Sequence, residues 1–263
     1  MFGFPNVDRS EINHYSSNYL KSVVFQIKYE TTDSIIKNKD TLTDQFSELL
    51  PRIKNSVQKG FEIAFKSDQT PILQPLTETD SGFELRSQNG HKVLRFSKDT
   101  TTYTISGQEY KNFENIKNEL HEILKSLELC GINKFTRVAI RKINIIEFQI
   151  PEKTDLSPME VMEILLNPDL INNASYFPNT HLIQQNIHTI DYVKDNNRLK
   201  LRYGLVLPAT NEKIGHVLVD IDRFKVSDIE HKDFMDLATK MNTEIFNIFN
   251  WAISKNAIEE LKH

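Results

Sequence analysis

The chain has 263 residues, of which 39% are hydrophobic and 26% charged, with a formal net charge of -4. Sixteen Phe and eight Tyr supply enough apolar area for one large core or two small ones. The mild acidity excludes a globally cationic coat but allows a local basic face, and the one cysteine, Cys130, excludes an internal disulfide framework and any multi-cysteine zinc site.

No apolar run approaches the ~20 residues needed to span a bilayer. The opening MFGFPNVDRSEIN has neither a basic n-region nor an apolar h-region, so a cytoplasmic protein without membrane attachment is expected. The eight glycines form no GxGxxG, no GxxxxGK[ST] and no Gly-x-Ser-x-Gly elbow. That argues against a Rossmann or P-loop enzyme and against an α/β-hydrolase.

In chain order, Leu20 to Glu30 alternates Val23, Phe25, Ile27 and Tyr29 with polar residues, the period of a half-buried strand. Leu42, Phe46, Leu49, Leu50, Ile53 and Val57 lie on one stripe, which predicts a helix over 42–58 that Pro51 kinks or divides. Phe61 to Phe65 reads as a strand. Phe83 to Ser87 and Lys92 to Ser97 flank Asn89-Gly90, the strongest short hairpin signal, and Thr101 to Ser106 continues the meander. An amphipathic helix over 109–130 ends at Gly131, and a long strand over 135–150 is stopped by Pro151.

The second half repeats this order. Ser157-Pro158-Met159-Glu160 combines a capping box with proline at the first helical position. An Asn-rich stretch through Phe177-Pro178-Asn179 follows. Strands are expected over 186–194, 198–207 and 214–221, with turns at Asp195-Asn196-Asn197 and Pro208 to Lys213. A helix over 232–253 and a last one capped by Ser254 close the chain. Hairpin connections rather than crossover helices favour an antiparallel α+β fold. The expected architecture is two three-stranded meanders, each followed by a long amphipathic helix, in a pseudo-duplicated arrangement of two lobes, 1–150 and 151–263. The two can also form one continuous domain.

Three features bear on function. In Arg198-Leu199-Lys200-Leu201-Arg202 the alternation leaves Arg198, Lys200 and Arg202 on the face opposite the leucines. Arg137 and Arg141 likewise share a face, with Ala139 between them as a shallow floor. Arginine forks suit phosphate or carboxylate oxygens, so these basic strand faces are the binding candidates. The bland reading is a solvated face on which each cation pairs with a nearby carboxylate. Asp220 and Asp222 form an Asp-x-Asp whose carboxylates point the same way about 7 Å apart, a weak divalent-metal candidate against the alternative of a solvated strand end.

The segment Phe135-Thr136-Arg137-Val138-Ala139-Ile140-Arg141-Lys142-Ile143-Asn144 resembles a sporadically distributed prokaryotic family of uncharacterised proteins of about 250 residues. Its members carry [TS]-R-x-[GA]-[LI]-R-[YK]-[IV]-N midway, and an aromatic is commoner where this chain has Lys142. Asn18 to Ile27, and Val219-Asp220-Ile221-Asp222-Arg223-Phe224 with the helix that follows, are also similar. The resemblance implies a patchily distributed protein associated with mobile elements or defence loci, and it implies no activity and no catalytic residue. The expected function is therefore a non-enzymatic binding or assembly component, without cofactor, that engages another protein. The alternatives are a nucleic-acid-binding protein using the basic strand faces, and a metal-dependent phosphate enzyme at Asp220 and Asp222.

Overall fold

The computed structural model describes residues 2–7, 19–65, 71–149, 158–171, 185–207 and 214–262. Strand β1 (Leu20–Lys28) leads into two short helices, α1 (Ser34–Lys37) and α2 (Lys39–Gln45). Four strands follow, β2 (Arg52–Phe65), β3 (Pro71–Arg86), β4 (Lys92–Phe96) and β5 (Thr100–Ser106), and then helix α3 (Phe113–Leu129). Strand β6 (Lys134–Gln149) opens the second half. Helix α4 (Pro158–Leu165), strands β7 (Gln185–Lys194), β8 (Asn197–Val206) and β9 (Ile214–Glu230), and helices α5 (Phe234–Ala252) and α6 (Lys255–Lys262) complete it.

The strands of the described residues form one nine-stranded sheet in the order β2-β3-β4-β5-β1-β6-β9-β8-β7, antiparallel at every pairing. This bears out the antiparallel α+β class and corrects the expected architecture: two separate three-stranded meanders do not exist. Alternation of apolar and polar residues shows which face a strand buries but says nothing about its neighbours. β1 and β6, which the expected arrangement left outside both meanders, pair with one another from Leu20↔Asn144 to Lys28↔Arg137. The merger satisfies two rows of backbone donors and acceptors that separate meanders would leave open.

The helix expected over 42–58 is also corrected. The helical stripe holds only as far as a turn at 46–49, and from Arg52 the chain is strand. Pro51 provides no N–H for a helical ladder and pushes Leu50 out of the helical region, so the chain leaves the helix rather than kinking. The predicted strand at Phe61 to Phe65 is the far end of β2. The expected capping box at Ser157, the stop at Pro151, the Asn-rich stretch and the loop from Pro208 to Lys213 lie outside the described residues.

Helix α3 begins with Asn112, whose side chain accepts from the Asn115 amide at 2.9 Å. At its other end Gly131, with φ of +78°, allows its own N–H to reach the Glu128 carbonyl and that of Ile132 to reach Leu127. That double closure satisfies the last carbonyls and requires the left-handed conformation that glycine adopts without a Cβ penalty. Ser254 caps α6 through its hydroxyl to the Ala257 amide at 3.1 Å.

The helices share one face of the sheet. Phe113 of α3 lies 6.2 Å from Phe25 of β1, Phe46 lies 6.2 Å from Phe96 of β4, and Phe234 of α5 meets Phe135 of β6 at 6.0 Å (all ring centroids). Between the layers sit Val23 and Ile27, Val138 and Ile140, Val219 and Ile221, and Leu199 and Leu201, all buried. Among the described residues no helix packs against the other face, where charged residues such as Arg137, Arg141, Asp220, Asp222, Arg198, Lys200 and Arg202 stand among a few apolar ones. No helix of the described residues is long and apolar enough to cross a membrane.

Leu120 of α3 is 1% exposed and belongs to this single core. Leu120→Ala leaves a cavity under α3 and is expected to cost about 2–5 kcal/mol in a denaturant titration.

Candidate functional site: the charged open face of the sheet

Strand register assembles the site. Across β6 and β9, Arg137 faces Val226, Ala139 faces Phe224, Arg141 faces Asp222 and Ile143 faces Asp220. Across β9 and β8, Phe224 faces Arg198, Asp222 faces Lys200 and Asp220 faces Arg202. All the residues singled out from the sequence therefore meet on one patch of the open face. Asp220 and Asp222 lie in the middle of β9 rather than at a strand end, because that strand continues to Glu230.

The two carboxylates are held differently. Asp220, 2% exposed, accepts both arms of the Arg141 fork, at 2.8 Å from Nε and 2.7 Å from Nη2, and Arg202 Nη1 stands 3.9 Å away. A bidentate, charge-assisted pair compensates the desolvation of a buried carboxylate. Burial alone lowers the Arg141 pKa, but the hydrogen bonds and charge of Asp220 outweigh it and leave it raised. Among the described residues Asp222 has a single ion-pair contact, 3.4 Å from Arg137 Nη2. Burial raises its pKa above the ordinary aspartate value against the opposing pull of Arg137 and Arg141. Arg137 is shifted the unfavourable way too, lowered by burial more than Asp222 restores. Its remaining contacts are a hydrogen bond from Nη1 to Gln26 Oε1 and a stack over Phe224, 4.3 Å from the ring centroid.

Strand β8 carries the cations with the fewest local partners. Lys200 is 3.7 Å from the exposed Asp191, an ion pair of little worth in solvent. Arg198 Nη1 is buried with no hydrogen-bond partner among the described residues. Arg198, Lys200 and Arg202 follow one another on the same face about 7 Å apart. On β6, β9 and β8 this patch holds five cations (Arg137, Arg141, Arg198, Lys200, Arg202) against two carboxylates, on a chain whose net charge is -4. The local sign is the reverse of the global one. Among the described residues no three His, Cys, Asp or Glu side chains are grouped to hold a metal ion.

Two neighbours were not singled out from the sequence. Phe224 supplies an aromatic ring in phase with Asp220 and Asp222, and the spacing Asp-x-Asp-x-Phe was its signal. Gln26 reaches the patch from β1, and no motif marks it, because only the β1–β6 pairing brings it there. A second polar cluster lies farther along the face, where Glu84, 2% exposed, accepts from both Arg86 and Arg95. Burial alone would raise the Glu84 pKa, and the two guanidinium groups hold it below its ordinary value.

Elsewhere a surface cavity of about 500 Å³ includes His91 and Ser106, whose Nδ1 and Oγ are 3.2 Å apart. No carboxylate in its described lining orients that imidazole, so it builds no nucleophile triad. No family model and no curated protein matches the chain. The motif Arg137-Val138-Ala139-Ile140-Arg141-Lys142-Ile143-Asn144 thus takes its meaning from structure. Its arginines and alanine form the open face, and its last residue, Asn144, is buried and donates to the Val219 carbonyl at 3.0 Å.

Removing Arg141 strands a buried carboxylate. Arg141→Ala is expected to destabilise the fold by about 3 kcal/mol, with part recovered when Asp220→Ala is added, in urea titrations of the three proteins. Asp222 has the opposite sign. With its pKa raised on folding, its contribution to stability is full below the ordinary aspartate value and is lost as pH rises through the raised one. Asp222→Asn should therefore melt a few degrees higher than the unaltered chain at pH 7, the two curves converging in acid.

Proposed function

We propose that the protein is a binding component that holds a single-stranded nucleic acid against the open face of its sheet. The observation that carries this reading is the reversal of charge there, with Arg198, Lys200 and Arg202 in one line along β8. Their spacing of about 7 Å is comparable to that of successive phosphates on an extended strand. Arg141 is committed to Asp220, so it shapes the face more than it meets a ligand. Arg137, stacked on Phe224, offers a flat surface for a base. The arrangement needs no chemistry of its own, and Asp220, one of the two carboxylates a shared metal would need, is already taken by both arms of Arg141.

A protein partner is the second reading, favoured by two exposed apolar side chains on the same patch. Val193 is opposite Arg198 and 65% exposed, and Val226 is opposite Arg137 and 47% exposed. The two readings part at Val226. Val226→Lys adds a cation beside Arg137, which strengthens nucleic-acid binding and breaks an apolar contact with a protein.

Fluorescence anisotropy with labelled single-stranded RNA and DNA tests the first reading. Binding at 50 mM salt should weaken with a log–log slope of about -2, the value for three phosphates neutralised on a single strand. Lys200→Ala should reduce that slope by about 0.7 without loss of folding. Asp222→Asn should bind more tightly than the unaltered chain. No binding to either strand at 50 mM salt overturns the reading.

A further inference from the structure

Residues 2–7 belong to no helix or strand, yet they are held closely on the helix-covered side. The Phe2 amide donates to Glu244 Oε1 at 2.8 Å, the Val7 amide to Asn247 Oδ1 at 3.3 Å, and Asn247 Nδ2 to Asn6 Oδ1 at 3.0 Å. The Phe2 ring lies 4.9 Å from the Arg223 guanidinium. Phe4 sits between Tyr192 of β7 and Trp251 of α5, with ring centroids 5.6 and 5.0 Å away.

The receiving groups are positioned by the rest of the fold. Arg223, 4% exposed, donates to the carbonyls of Arg198 and Phe224 and to Asn197 Oδ1. Its Nε holds Glu244 Oε2 at 2.7 Å, which leaves Oε1 turned to the Phe2 amide. Asn247, 6% exposed, uses both ends of its amide on the segment. The segment contributes two backbone N–H groups, two phenyl rings at alternate positions and one asparagine amide. Main-chain hydrogen bonds give a groove its affinity for a peptide and seated side chains its specificity, and Gly3, at φ +86°, turns the backbone between the two rings. A stretch of six residues with no ladder of its own is also among the least costly parts of a fold to release.

We propose that the groove between α5 and the edge strand β7 is a peptide-binding site that residues 2–7 occupy in cis, and that it accepts the Phe-Gly-Phe-x-Asn segment of a second copy in trans. The site is on the opposite side of the sheet from the charged patch and is independent of the reading given for that patch. Exchange of the segment for that of a second copy opens the groove without disturbing the nine-stranded sheet.

The test deletes residues 2–7 and titrates the protein with the peptide MFGFPNVD. Trp251, the chain's one tryptophan, reports the Phe4 position through its emission. A saturable change is expected, weakened about tenfold or more when the peptide carries Phe4→Ala. The full-length chain should respond far more weakly, because its own segment competes at high effective concentration. A deletion protein that keeps the circular dichroism of the full chain but shows no response overturns the proposal, as does an equal response from the full chain. Should the deletion protein fail to fold, the full chain with Phe2→Ser and Phe4→Ser takes its place. If that variant also fails, residues 2–7 are a fixed part of the core and the proposal is overturned.

Discussion

The pairing of β1 with β6 is the constraint on which the rest of the structure depends. It runs antiparallel through the middle of the sheet, and both strands are fully flanked, β1 by β5 and β6 by β9. On one side it places Phe25 beside Ile140 and Ile27 beside Val138, which lets α3 and α5 cover a single continuous core. On the other it places Gln26 beside Ala139 and next to Arg137, which completes the charged patch. One row of backbone hydrogen bonds thus decides both the core and the open face.

The two faces bury charge on different terms. On the helix side Arg223 and Glu244 are nearly inaccessible, and each is satisfied by several partners. On the open side, Asp220 is buried beneath the Arg141 fork, while Asp222 and Arg137 are desolvated with one long contact between them. Full satisfaction of a buried charge network fixes a local structure, and partial satisfaction leaves interaction capacity that a ligand can take up. The open face also keeps Lys200 and Arg202, whose carboxylate partners stand 3.7 and 3.9 Å away, and Arg198, whose Nη1 has no hydrogen-bond partner among the described residues.

Much was legible in the sequence because it depends on neighbours along the chain. The alternation in Val23, Phe25 and Ile27 gave β1, Asn89-Gly90 placed a hairpin, and Gly131 ended α3. The same alternation put Arg137 with Arg141, and Arg198 with Lys200 and Arg202, on faces away from the apolar residues. The stripe that ran past Pro51 misled, since Ile53 and Val57 fit a helical period by chance while proline forbids the helix they would extend. Phe224 shares the phase of Asp220 and Asp222 along β9, but no local pattern ties it to the basic strands on either side.

What the sequence alone determined is the identity of most strands and helices, though not of the first part of β2 or of β3, and for those it found, the apolar face and the polar residues of the opposite phase. Which strand lies beside which was decided only by the tertiary structure, because a strand's edges are its backbone N–H and C=O groups, identical at every residue but proline. That anonymity is why two expected meanders became one sheet. It is also why Arg141 met Asp220 from 79 positions away, and why Gln26 joined a patch that no local pattern links it to. Pairing across long separations is set by the summed burial of both partners' faces, a quantity that exists only when the whole chain is folded.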